Sequence, residues 1–263
     1  MPNVQARADK DAAPELGAMK RTAVLLYGVA VYLLFLATFL YLIGFIGNFF
    51  VPLSIDVGPT VPVAEAMVTD LLLVALFGFQ HTIMARTRFK LWLTKLIPQP
   101  AERSTFVLSA TLVLIAIVLL WKPIPIVLWD TSGGTLGNVL VGVSLAGWSI
   151  VLWSTFLINH FDLFGLRQVV LCFRGQPYRP VEFDMPAIYR YVRHPMYFGM
   201  FIAFWVTPVM TVGHLLFAGA MTVYTLIGIR FEERALRREH GESYRRYQRQ
   251  VSMIIPRPPR KVQ

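Results

Sequence analysis

Long apolar stretches alternate with short polar ones along this chain, and their lengths predict membrane-spanning helices. Thr22 to Ile46 is the first, long enough at about 1.5 Å per residue to cross a hydrocarbon layer of roughly 30 Å. A Gly/Pro-rich loop then runs to about Ala64, and a second span covers about Ala66 to Met84. Thr105 to Trp121 is the third and Thr135 to Ile158 the fourth. The fourth carries Gly137, Gly142 and Gly147, small residues that let helices approach closely in lipid. A last apolar region reads as a hairpin with arms Met196 to Met210 and His214 to Ile229, its bend flanked by Pro208 and Gly213. After it, Phe231 to Val251 reads as one amphipathic, charged helix with Glu233 and Arg237 at i, i+4 spacing, ended by Pro256, Pro258 and Pro259. The expected fold is an all-α polytopic membrane protein, with four transmembrane helices plus a C-terminal transmembrane helical hairpin.

Composition agrees with that pattern. Of 263 residues, 56% are hydrophobic and only 15% charged, with a mean hydropathy of +0.55. One membrane domain, residues 22–263, accounts for nearly all of the chain. Residues 1–21 are polar, carry Arg7, Lys10, Lys20 and Arg21, and lack a short apolar core with a cleavage site. With that end in the cytoplasm, every Lys and Arg except Lys122 falls on the cytoplasmic side, which predicts both termini there. The net charge of +10 therefore follows topology and suits anionic lipid headgroups, not nucleic acid. The lone Cys172 excludes an internal disulfide and a cysteine-built metal site. Composition fixes no oligomeric state.

The hairpin carries the densest candidate chemistry, between residues 190 and 250. Arg193-His194-Pro195-Met196-Tyr197-Phe198-Gly199 opens it and Phe231-Glu232-Glu233-Arg234 closes it, so folding the arms together brings a basic-aromatic cluster to an acidic pair. Pro195 suits the first position of a helix, which sets Arg193 and His194 at a helix N-terminus that attracts anions. Tyr197 can stack on or hydrogen-bond a ligand, and Gly199 permits close backbone approach. The carboxylates suit a ligand with hydroxyls and a cation; the plain alternative pairs them with Arg230 or Arg237. Tyr244 and Tyr247 read as interfacial anchors. His81 and His160 sit at the cytoplasmic ends of spans two and four, and with His194 they form a histidine group at one membrane face. Metal ligation by His81, His160 and Asp162 lacks a short-spaced histidine pair, and no phosphate loop or dinucleotide fingerprint is present.

Arg-His-Pro-Met-Tyr-Phe-Gly, a helical hairpin, Glu-Glu, and then Gly-x-x-Tyr-x-x-Tyr resemble the signature of integral-membrane methyltransferases. That family includes isoprenylcysteine carboxyl methyltransferase and bacterial phospholipid N-methyltransferases. Gly78-Phe79-Gln80-His81, the run Asn159 to Gln168 and the overall length resemble the bacterial methanethiol S-methyltransferases more narrowly. The resemblance implies S-adenosyl-L-methionine as cofactor, bound at the cytoplasmic face. Arg193 and His194 would hold its amino-acid end, Tyr197 would support it, and Glu232 or Glu233 would meet its ribose or amino group. It implies a small thiol as acceptor, methanethiol before hydrogen sulfide, giving dimethyl sulfide. A thiol must lose a proton to become the nucleophile. His160, followed by Asp162 as a possible orienting partner, is the expected acceptor ahead of His81. Phospholipid or other lipid methylation is the alternative within the family. A sterol-type reductase using NADPH shares a similar Arg-His-Pro-x-Tyr-x-Gly pattern, and a non-catalytic transporter or assembly factor on this scaffold is the third reading.

Overall fold

The computed structural model describes residues 16–180 and 187–259. The far N-terminus and the middle of the loop before Arg193 lie outside the described residues. Within them the chain runs α1 (Ala18–Gly47), α2 (Val63–Met84), α3 (Thr87–Leu93), α4 (Glu102–Leu120), β1 (Val127–Asp130) and α5 (Thr135–Ile158). It continues with α6 (His160–Leu163), α7 (Leu166–Phe173), α8 (Pro195–Trp205), β2 (Val209–Thr211) and α9 (Val212–Gln250), with 3-10 turns at Gln99–Ala101 and Ala187–Arg190. Among the described residues, five helices are long and apolar enough to cross a membrane: α1, α2, Gln99–Leu120, α5 and Val212–Arg238 of α9. This is an integral membrane protein, mostly helical.

Two elements depart from the expected all-α hairpin. Its first arm is helical only over Pro195–Trp205, 11 residues or about 16 Å, roughly half of a hydrocarbon core. Thr207 precedes Pro208, and proline's ring disfavours helical geometry in the residue before it, so the chain turns extended. That extended run becomes β2, antiparallel to β1 with Val127 opposite Thr211 and Asp130 opposite Val209. Thr211 then caps α9, its Oγ1 accepting the His214 N–H at 3.0 Å. Extended residues rise about twice as far as helical ones, so more of α9 is needed to match the first arm. Arg193 and His194 meet Glu233 across the hairpin, as expected.

The chain divides into two compact units. The first comprises Met1–Leu40, Phe79–Ile115 and Ile158–Phe183. Its apolar core joins Val31, Met84, Leu93, Phe106 and Val107, and a second cluster joins Val24, Ala101, Val169 and Cys172. Phe35 stacks on Phe164 at 4.1 Å between ring centroids. The second comprises Tyr41–Gly78, Ala116–Leu157 and Asp184–Gln263. There the Trp121 indole N–H donates to the Ile55 carbonyl at 3.1 Å while its ring meets Phe45 and Phe217 edge-on. Asp70, fully buried, accepts the Lys122 backbone N–H at 2.9 Å, a structural use of a carboxylate at membrane depth. Asp56 accepts from Thr211 Oγ1 and from Asn48 Nδ2, tying the loop after α1 to the hairpin bend.

Candidate active site

In the second unit, the two ends of the sequence motif come together. His194 is the N-cap of α8 and Pro195 stands at its first turn, where a missing N–H costs no hydrogen bond. Arg193 Nε donates to Glu233 Oε1 at 2.7 Å, and the pair is only 10% and 12% exposed. The same Oε1 meets His194 Nε2 at 3.3 Å. Glu233 thus pairs across the hairpin, not with Arg230 or Arg237. Glu232 behaves differently. Its side chain is 47% exposed, Tyr197 donates to its Oε2 at 3.3 Å, and His194 Nδ1 stands 3.8 Å from the same oxygen.

Gly199 is buried, and a Cβ on it would stand 2.7 Å from the Gly147 carbonyl and 2.9 Å from the Val151 nitrogen. The close approach it permits is therefore to α5, which seats α8 and with it the Arg-His pair.

The tail brings residues that the sequence did not single out. α9 is broken at Gly241, whose φ of 57° and ψ of −128° suit glycine alone. Beyond the break the chain folds back. Arg193 Nη1 donates to the carbonyls of Gln248 (3.0 Å) and Val251 (2.5 Å), and the Gln248 side-chain amide donates to Glu233 Oε2 at 2.9 Å. The backbone N–H groups of Arg193 and His194 donate to Ser252 and Met253. Tyr244 and Tyr247 are buried against Val251, not interfacial as expected, and the Tyr247 hydroxyl donates to the Tyr189 carbonyl at 2.7 Å. Burial, aided by Glu232, pushes the Tyr189 phenol up to about 12; burial raises Tyr244 and Tyr247 as well, so all three are neutral. The signal that reveals this return is the Gly-x-x-Tyr-x-x-Tyr run, a helix breaker followed by two large apolar bodies.

The other candidates belong to the first unit. Asn159, in left-handed geometry, caps the single turn of α6 by accepting the Asp162 N–H at 3.2 Å. His160, 3% exposed, shares a hydrogen bond of 2.9 Å between its Nε2 and the Tyr32 hydroxyl. Burial holds its ring below the usual histidine range. Asp162 is committed elsewhere, accepting from Arg167 Nη1 at 2.9 Å and from the Tyr178 hydroxyl at 3.2 Å. The expectation that Asp162 orients His160 gives way to Tyr32, because the single turn sends the two side chains to different partners. Tyr32 leaves no mark in the sequence, being one tyrosine within an apolar span. His81 lies edge-on to Phe106 at 4.9 Å, and the Arg103 guanidinium covers the same ring at 5.0 Å.

Residues 85–251 match the family described as "Protein of unknown function (DUF1295)". The chain is 50% identical over 238 residues to the methanethiol S-methyltransferase of Crocosphaera subtropica, covering 90% of this chain and 93% of that one. It is 50% identical to methanethiol S-methyltransferase 1 of Bradyrhizobium diazoefficiens (88% and 81% covered), and 46% identical to the methanethiol S-methyltransferase of Mycobacterium tuberculosis (92% and 99%). No solved structure matches. Identity at this level, over most of both chains, shows that the chain belongs to the family of the methanethiol S-methyltransferases.

Proposed function

We propose that this enzyme transfers a methyl group from S-adenosyl-L-methionine to methanethiol, giving dimethyl sulfide, with hydrogen sulfide as a second acceptor. The observation that carries the reading is half identity to a methanethiol S-methyltransferase over nine-tenths of both chains. The residues of the hairpin fit such a cofactor. A helix N-terminus bearing Arg193 and His194 suits a carboxylate, and the half-exposed Glu232 suits an amino group or ribose hydroxyls. Held there, the cofactor would supply an activated methyl carbon on a sulfonium, with S-adenosylhomocysteine as the co-product. The chain's own task is to hold donor and acceptor in line, keep water out, and take the thiol proton.

For the proton we propose His160. Its buried ring is held in the neutral, accepting form at neutral pH, and the Tyr32 hydroxyl fixes it. His81 is the second candidate. We also propose that the hairpin site faces the cytoplasm with both termini, on the one-sided distribution of Lys and Arg. Cells expressing the protein and fed methanethiol should release dimethyl sulfide into the headspace. Release no greater than from empty-vector cells overturns the acceptor and favours a lipid.

A further inference from the structure

Gln248 is not one of the residues that the motif singles out, yet its amide reaches the carboxylate at the centre of the hairpin site. Glu233 has two oxygens, and the fold gives them separate tasks. Oε1 takes Arg193 and His194, while Oε2 takes Gln248. The Arg193 guanidinium is committed at Nε to Glu233 and at Nη1 to two carbonyls of the returning chain. Without a donor on Oε2 the carboxylate would be free to rotate about its last bond and share both oxygens between Arg193 and His194. With Gln248 in place, Oε1 stays on Arg193 and His194, and His194 stays turned between Glu233 and Glu232.

We propose that Gln248, delivered by the reversal at Gly241, is a positioning residue of the cofactor site. It sets the orientation of Glu233, and through it of Arg193 and His194, without itself meeting the ligand. This rests on the reading of the hairpin as the S-adenosylmethionine site. The charged and titratable groups facing Glu233 are Arg193 and His194 before and at the start of α8, Glu232 beside it, and Tyr244 beyond the kink, with Tyr247 against Tyr244. On Oε2 the donor is the neutral amide of Gln248.

The test uses purified full-length protein in detergent, with S-adenosylhomocysteine titrated calorimetrically and melting followed from pH 8 to pH 6. Gln248→Leu, which keeps bulk but removes the donor, should bind roughly tenfold more weakly, because binding must then re-order Glu233, Arg193 and His194. Gln248→Glu is the sharper variant. At pH 8 it sets a second carboxylate against Glu233 and should lose both affinity and melting temperature. Toward pH 6 the pair shares one proton, the donor is restored, and both should return toward the wild-type values measured at the same pH. Wild-type affinity in Gln248→Leu, or a Gln248→Glu deficit in both readouts that ignores pH, overturns the proposal. Wild-type protein that binds no S-adenosylhomocysteine overturns the cofactor reading instead, and the pH-dependent melting of Gln248→Glu still decides whether Gln248 positions Glu233.

Discussion

The two units both place histidine beside a polar partner, but they assemble those partners over very different distances along the chain. In the second unit Arg193, His194 and Tyr197 meet Glu232 and Glu233 across one hairpin, at separations of 35 to 40 residues. In the first, His160 meets Tyr32 across 128 residues. A hairpin converts sequence order into pairing, because two arms joined by a bend must run past each other. A helix packed against a distant helix carries no such rule, and its rotation is set by the apolar surface it buries. The hairpin site is therefore legible from a motif, and the histidine site is not.

The largest effect should come from breaking the hairpin pair. Arg193→Ala or Glu233→Ala leaves a buried charge without its partner, a loss of about 2–5 kcal/mol or roughly thirtyfold and more in affinity. Calorimetric titration with S-adenosylhomocysteine should show that loss in protein that still elutes as a folded species. Unchanged affinity in both would move the cofactor out of the second unit.

Gly241→Val comes next. A β-branched residue at φ 57° costs on the order of 1–3 kcal/mol, and relieving that strain straightens α9 and withdraws Gln248 and Val251 from Arg193. Melting temperature and S-adenosylhomocysteine affinity should fall together. If affinity holds while melting falls, the returning segment supports the fold and not the site.

In the first unit, His160→Ala should lower kcat while S-adenosylhomocysteine affinity holds, with part of the rate regained at higher pH as thiolate forms in solution. Tyr32→Phe should give a milder loss in kcat, of the order of one hydrogen bond, about 0.5–1.5 kcal/mol. Normal turnover in His160→Ala would pass the proton to His81 or to bulk thiolate.

The smallest effect is on stability. Because burial lowers the His160 pKa in the folded protein, the unfolded chain takes up this proton first as pH falls below about 6.5. Its contribution is complete above that value and lost on acidification. His160→Asn should therefore lose less melting temperature than wild type between pH 7 and pH 5, and an equal loss would mean that the ring is not desolvated.

Apolar length and charge asymmetry by themselves determined that this is a mostly helical membrane protein, since lipid leaves a spanning chain little choice but to satisfy its backbone within helices. The Arg-His-Pro start and the Glu-Glu return determined one site, because both are tied to the ends of the same hairpin. Only the tertiary structure decided the rest. Extended geometry around Pro208 shortened α8 and put a strand into the bend of the hairpin. One positive φ at Gly241 turned a surface helix back, buried Tyr244 and Tyr247 and brought Gln248 onto Glu233. Tyr32 displaced Asp162 as the partner of His160, because hydrophobicity along a helix sets its depth in lipid while its rotation is settled by what packs against it.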